Sequence, residues 1–409
     1  MWKTYELFKV GRLVLIPAAI AGMAAVAQAA PGAESQVVQG EAVMGFRLLN
    51  ELAKEDPGKN LFISPSSISA VMQMVRNGAA TKTKDELDQL LGTANLTPRM
   101  LGQTHASLQK ALKAGITNAT IEAANAIWYA PNIGLRPDFA AQNKEFYAAS
   151  IDPLDFTDPR AAGVINRWVN EKTHGKIPEL LHGSLAGFTG AVLVNAVYFK
   201  GAWQAPFEAT ATQDGKFKTA GGEERTVPMM HQAGRMGYYE TEGENGCQAV
   251  RLPYSDRRLA MYVFLPKAGA SVERLLSGIH GADWRGTHLS KFTMRQGTLA
   301  LPRFKLEYEK ILNQPLSALG AKRMLTQGAD LSGMSATPLF IDQVVHKAMV
   351  EVNEEGTVAA AVTGAIAMPT AVERPTEPFK MIVDHPFFFA ICDDTTGLIL
   401  FAGITQDPG

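Results

Sequence analysis

Residues 191–199, AVLVNAVYF, constrain the fold of this chain more than any other stretch. Apart from Asn195, every residue is apolar or aromatic, so the run reads as a strand with no face for water. Such a strand belongs inside a sheet with packed layers on both sides. Asn195, in its middle, must find its hydrogen bonds indoors.

The surrounding sequence supplies those layers. Helical spacing recurs at 41–54 (Val43, Phe46, Leu49, Leu52) and at 67–77, after the cap-like Ser64-Pro65-Ser66-Ser67. A short helix at 87–91 is closed by Gly92, and 164–172 sets Ile165, Trp168 and Val169 on one face. Strands are predicted at 249–252, 259–265, 298–301, 344–352, 387–391 and 398–404, the last two joined by a hairpin through Asp393-Asp394-Thr395-Thr396-Gly397. Helices first and strands later indicate an α+β chain with interlocked elements. The 409 residues, 46% hydrophobic and 19% charged, suffice for one large core.

The N-terminus stands apart. Lys3, Lys9 and Arg12 precede an apolar run at 13–26 and the small residues of Ala27-Gln28-Ala29, the pattern of a secretory signal cut after Ala29. The run is short for a membrane span. The expected organisation is a leader at 1–29, a flexible segment at 30–39 and a single domain at 40–409, exported to the periplasm or secreted. Removing the leader takes away three basic residues and one acidic one. The formal charge then moves from −1 to −3, with 36 basic and 39 acidic residues. Neither value points to nucleic acid. Cys247 and Cys392 are the only cysteines; they read as two unpaired thiols and are too few for a structural zinc site.

Catalytic motifs are missing. The sequence has no Gly-x-Ser-x-Gly elbow, no His-Glu-x-x-His helix and no phosphate loop. The expectation is no enzyme, no cofactor and no metal. What remains is a polar set in apolar surroundings, Ser64, Ser67, Asn195 and His346, and one unusual segment, EEGTVAAAVTGAIAMP at 354–369. That segment is too small-sided for a core and too apolar for a solvated loop. It has no proline before Pro369, and so reads as a strand not yet formed, the mark of a conformational switch.

Seven pieces of sequence in order carry a resemblance over about 40–407. They are Asn60-Leu61-Phe62-Ile63-Ser64-Pro65-Ser66-Ser67, Ile165-Asn166-x-Trp168-Val169, Leu193-Val194-Asn195-Ala196-Val197-Tyr198-Phe199-Lys200-Gly201-x-Trp203, Leu252-Pro253-Tyr254, Leu301-Pro302-Arg303-Phe304, His346-Lys347-Ala348 and Asp384-His385-Pro386-Phe387-Phe388-Phe389. The chain resembles a serpin, a serine protease inhibitor, with a leader of bacterial character. The resemblance implies three β-sheets, eight or nine helices and an exposed reactive-centre loop. It places Ser64, Ser67, Asn195 and His346 in the shutter beneath the central sheet. Trp203 and Arg303 fall in the breach, with Arg303 paired to Glu354. The hinge comprises Glu354, Glu355, Gly356, Thr357, Val358, Ala359, Ala360 and Ala361. The implied activity is suicide inhibition: a protease cuts the loop, becomes trapped as an acyl-enzyme, and is displaced as the loop enters the sheet.

The residues themselves say whether this loop can enter a sheet. From Thr357 one parity reads Thr357, Ala359, Ala361, Thr363, Ala365 and Ala367, all small and uncharged. The other reads Val358, Ala360, Val362, Gly364, Ile366 and Met368, also compatible with a strand. Thirteen residues at roughly 3.3 Å each span about 40 Å. Val358 departs from the family, where Glu is common. Family spacing puts the reactive bond fourteen residues beyond Gly356, at Thr370-Ala371, with Ala371-Val372 and Val372-Glu373 as alternatives. Ala367, Met368, Pro369, Val372 and Glu373 complete the protease-binding loop. Met368 and Arg374 each precede proline, so the small residues around the bond suit elastase-like or subtilisin-like proteases. The other reading is a non-inhibitory binding or carrier protein that proteases merely cleave. A monomer is expected, with no membrane partner after leader removal.

Overall fold

A computed structural model describes residues 32–357 and 377–409, apart from 117, 244, 245 and 268. Strand Ala191–Ala202 is buried at every position except Lys200 and lies inside a six-stranded sheet. Ala119–Tyr129 runs antiparallel along one side of it, with Ser150–Pro153 beyond. On the other side Ile341–Asn353 pairs with it in parallel, from Ile341 opposite Ala191 to Met349 opposite Tyr198. Phe304–Ile311 closes that flank in the antiparallel sense. The seam between Ala191–Ala202 and Ile341–Asn353 is parallel, as is the pairing of Ala119–Tyr129 with Ser150–Pro153 at the sheet edge, and its slanted hydrogen bonds are slightly weaker per residue.

Above Met349 the two strands part. Gly356–Thr357 occupies the gap as the start of a further strand, antiparallel to both neighbours: Thr357 lies opposite Val352 and Gly201, and Gly356 opposite Asn353 and Ala202. Glycine is required here. Gly356 has φ of 151°, and a Cβ on it would stand 2.2 Å from the Gly201 carbonyl oxygen.

A nine-stranded ladder forms the second layer. The seventeen-residue strand Glu224–Glu240 runs through it, pairing along its length with Gln213–Lys218, Thr293–Pro302 and Cys247–Pro253. Two of the three sheets the resemblance implies are therefore joined through this one strand. Nine α-helices are present among the described residues. Cys247 and Cys392 are both free and buried. Each pairs with Leu259–Pro266, Cys247 opposite Pro266 and Cys392 opposite Ala260, six positions or about 20 Å apart.

Helix Pro65–Gly78 carries the sheet on its back. Only Asn77 escapes burial, so the polar Ser66, Ser67, Ser69, Gln73 and Arg76 are held inside with the apolar residues. Against it lies Ala33–Glu55, which corrects one expectation: residues 33–39 are the first two turns of this helix, not a flexible lead-in. Ala33 and Val37, one turn apart, pack on Leu96, Leu101 and Leu108, which anchors the extension. Strand Ala119–Tyr129 also went unread in the sequence, because four alanines with Glu122 and Asn125 dilute the β-branched signal of Thr120, Ile121 and Ile127.

A carboxyl group sits between these two helices. Glu41 is 3% exposed; its Oε1 accepts from Gln73 Nε2 at 3.2 Å, and Gln73 Oε1 accepts from the Tyr147 hydroxyl at 3.3 Å. The nearby guanidinium of Arg76 is committed to Asp88 at 2.8 Å and to the Leu96 carbonyl at 2.6 Å. Burial pushes the Glu41 pKa up to about 8, against weaker opposing hydrogen bonds from Ser69 and Gln73. The folded chain thus holds a proton that the unfolded chain releases from about pH 4.5, and Glu41 costs stability progressively as pH rises from 4.5 to 8. Glu41→Gln, which mimics the neutral acid, should leave the melting temperature unchanged at pH 4.5 and raise it by several degrees at pH 8. Equal shifts at both pH values would contradict this.

Candidate functional site: a parallel seam and its polar pin

Four residues from three distant segments meet under the middle of the seam. His346 and Asn195 face each other across it, and Asn125 lies opposite Asn195 on the next strand. His346 Nε2 accepts from the Ser64 backbone N–H at 3.3 Å, which leaves Nδ1 to carry the proton and donate to Asn195 Oδ1 at 2.5 Å. The Asn195 amide donates to Ser67 Oγ at 2.5 Å and to Asn125 Oδ1 at 2.6 Å. Ser64 Oγ donates to the Leu400 carbonyl at 2.7 Å and accepts from the Ser67 N–H at 3.4 Å, as the N-cap of Pro65–Gly78. Both layers and the helix between them are tied at this point.

His346 has no exposed surface, and burial holds its pKa down at about 3. It is neutral in the folded chain, whereas the unfolded chain protonates it near 6.5. The stability it contributes is full above 6.5 and is lost as pH falls toward 3.

The head of the seam is a second cluster, seven residues or about 23 Å up the strand from Asn195. Trp203 donates from its backbone N–H to the Glu355 carbonyl at 3.0 Å and from Nε1 to the Asn353 carbonyl at 2.9 Å. Its ring stacks on Tyr254 at 4.7 Å, and Tyr254 meets Phe199 edge-on at 5.0 Å. The Tyr254 hydroxyl reaches Thr357 Oγ1 at 2.9 Å, and both groups are fully buried. Asn353 Oδ1 accepts from the N–H groups of Glu355 and Gly356, shaping the reversal.

Glu354 anchors the turn. Both of its oxygens accept from Arg303 Nε at 2.7 Å, and Oε1 also accepts from Arg303 Nη2 and the Thr212 hydroxyl. Burial alone would raise the Glu354 pKa, but the hydrogen bonds from Arg303 and Thr212 outweigh it and hold the carboxyl below its ordinary range.

The structure thus brings Ser64, Ser67, Asn195 and His346 together in one cluster, and Trp203, Arg303, Glu354, Glu355, Gly356 and Thr357 in another. Val358, Ala359, Ala360, Ala361, Ala367, Met368, Pro369, Thr370, Ala371, Val372 and Glu373 lie outside the described residues. Sequence reasoning missed Asn125, whose signal was the same as that of Asn195, an amide in an apolar strand. It also missed the roles of Tyr254, Asn353 and Thr212. Among the described residues no group of three or more His, Cys, Asp or Glu could hold a metal ion.

Residues 39–408 match the family model described as serpin, serine protease inhibitor. The chain is 38% identical over 374 residues to a leukocyte elastase inhibitor of Bos taurus, covering 87% of this chain and 95% of that protein. It is 36% identical over 374 residues to Iripin-2 of Ixodes ricinus, covering 90% and 93%. The solved structure of native protease nexin-1 with heparin superposes with a TM-score of 0.81 at 26% identity, over 92% of this chain and 99% of that one. The chain belongs to the serpin family. The bovine relative is named as an elastase inhibitor.

Asn195→Ala should cost about 1–3 kcal/mol in urea unfolding, because it strands the His346 N–H and the oxygens of Ser67 and Asn125 in the interior. A loss below about 0.5 kcal/mol would mean that these groups find other partners.

Proposed function

We propose that this protein is a suicide-type inhibitor of serine proteases, in which segment 357–368 enters the seam after the loop is cut. The observation that supports this most is Gly356–Thr357, seated between two parallel strands at the point where they part. The next residues in sequence are the small, uncharged run read above. Continuing the register one residue at a time brings Thr363 level with His346 and Asn195. It brings Met368 level with Ile341, the far end of the seam. The length of the small-sided segment therefore equals the length of the seam it would fill.

Parity favours the same reading. Thr357 points inward, where its hydroxyl meets Tyr254, so Ala359, Ala361, Thr363, Ala365 and Ala367 would share that buried face. Entry separates His346 from Asn195, and the Thr363 hydroxyl arrives between them able both to donate and to accept. The reactive bond at Thr370-Ala371 lies two residues past the far end, so an acyl-linked protease would be carried the length of the sheet. The target class is elastase-like or subtilisin-like, from the small residues around that bond. The naming of a bovine relative as an elastase inhibitor agrees with this choice. The leader supports export, and N-terminal sequencing of secreted protein should begin at Ala30.

Incubation with pancreatic elastase should yield a complex stable in SDS and a released C-terminal peptide beginning at Ala371. A clean cut with no complex would instead indicate a substrate, and hence a non-inhibitory binding protein. Thr357→Arg puts a charge on the inward face at the point of entry and should turn inhibitor into substrate, with cleavage rate unchanged. Undiminished complex formation by this variant would refute insertion. Thr370→Arg should shift preference to trypsin-like proteases by an order of magnitude or more; unaltered elastase inhibition would move the reactive bond elsewhere.

A further inference from the structure

The inner face of the seam is closed by helix Pro65–Gly78, and its outer face is crossed by the segment that leaves helix Ala161–Lys172. His346 and Asn195 point inward to the pin, so by alternation Lys347, Tyr198, Glu122 and Glu309 point outward on their four strands. Residues 174–182 meet these side chains strand by strand. His174 Nε2 lies 3.5 Å from Glu122 Oε1 on Ala119–Tyr129. Lys176 Nζ stands 5.7 Å from the Tyr198 ring centre on Ala191–Ala202. The Glu179 carbonyl accepts from Lys347 Nζ at 2.8 Å on Ile341–Asn353. His182 Nε2 lies 3.3 Å from Glu309 Oε1 on Phe304–Ile311. The segment is a strap laid across four strands, and it passes over the seam between Lys176 and Glu179. Its seating is also apolar: Ile177, Leu180, Leu181 and Leu185 are buried. Asn166 ties it to the helix, its Oδ1 accepting from the N–H groups of Leu180 at 2.9 Å and Leu181 at 2.8 Å.

A strand added to the seam moves its two sides apart by about 4.8 Å. Continued register brings Ala360 level with Tyr198 and Val362 level with Lys347, both of outward parity and both beneath the strap. Contacts with Glu122 and Tyr198 on one side, and with Lys347 and Glu309 on the other, cannot all survive that widening. One end of the strap must let go.

Both ends carry a histidine beside a carboxylate. At the far end His182 lies between two, 3.2 Å from Glu179 Oε1 and 3.3 Å from Glu309 Oε1, and Lys347 Nζ is 3.0 Å from Glu309 Oε2. Glu307, the next outward residue of that strand, is taken by Lys305 at 2.9 Å. With a neutral imidazole this group sets one cation against two carboxylates; with imidazolium the charges balance. At the near end His174 faces Glu122, with Lys172 and Lys176 close by in the chain. Imidazole changes charge between about pH 5 and 8, so acid tightens both ends.

We propose that strap 174–182 is an acid-tightened latch on the seam, fastened by His174 and His182 on its opposite sides, whose release sets how fast the loop segment enters. This rests on the insertion reading given above. Slower entry leaves water more time to free the protease from its acyl link. A tighter latch therefore diverts more of the protein into cleaved, uncomplexed form.

Two measurements test this. With elastase, the ratio of cleaved to complexed protein is compared between wild type and the double variant His174→Gln/His182→Gln at pH 6 and pH 8. Taking the two proteins at the same pH cancels the protease's own pH dependence. Their ratios should agree at pH 8, and wild type should exceed the variant about two- to fivefold at pH 6, the scale of exposed ion pairs. His182→Lys, which fixes the charge, should carry the excess to pH 8. Without any protease, hydrogen exchange corrected for its intrinsic pH dependence should show 176–185 more protected at pH 6 than at pH 8 in wild type, and equally protected in the double variant. Equal partition of wild type and double variant at pH 6, or pH-independent protection of the strap in wild type, would overturn the latch. Absence of any complex at either pH would overturn the inhibitory reading instead, and hydrogen exchange then still decides whether acid tightens the strap.

Discussion

Everything distinctive in this molecule turns on the parallel pairing of Ala191–Ala202 with Ile341–Asn353. The two strands are flanked by antiparallel neighbours and covered by the nine-stranded layer and helix Pro65–Gly78. A parting along the seam exposes two rows of backbone groups that only another strand can satisfy. The Asn195–His346 bond crosses the seam at its middle and ties it to Ser64 and Ser67 on the helix. Closing the sheet thus depends on a polar contact in an apolar interior, where a missing partner is costly and a substitute hydroxyl is readily accepted.

The head of the seam is built on the opposite logic. There the strands are already apart and already filled, by two residues fixed through Tyr254, Trp203 and the Arg303–Glu354 pair. Gly356 is the only residue type that meets both its φ and its contact with Gly201. The chain reverses within three residues of Asn353, so the direction of any further entry is set. Arg303 is 44% exposed while Glu354 is buried, and the bond between them is half open to solvent. It serves to orient the turn more than to stabilise the fold.

Much of this was legible in the sequence. The central strand, the capped helix from Ser64, the isolated Asn195 and the small-sided segment after Gly356 each carry a local signal, and local signals survive in any fold. The length of the strands was less legible. Ile341–Asn353 starts three residues ahead of the expected 344–352, and Glu224–Glu240 was not read as a strand at all, because long neighbours supply hydrogen bonds that the sequence does not announce. Helix Ala33–Glu55 began earlier than its strong periodicity, since Ala33 and Val37 gain their partners from a distant helix. Tyr254 was invisible as a site residue for the same reason: its importance lies in what comes to lie beside it.

The seam's capacity to take up the chain's own segment is tested most directly by heat. The intact protein and protein cleaved within 358–376 by a protease it does not trap can be melted side by side. The account predicts a melting temperature far higher for the cleaved form, because a full strand then bonds to both sides of the seam. Identical melting, or a cleaved form that melts earlier, would contradict it.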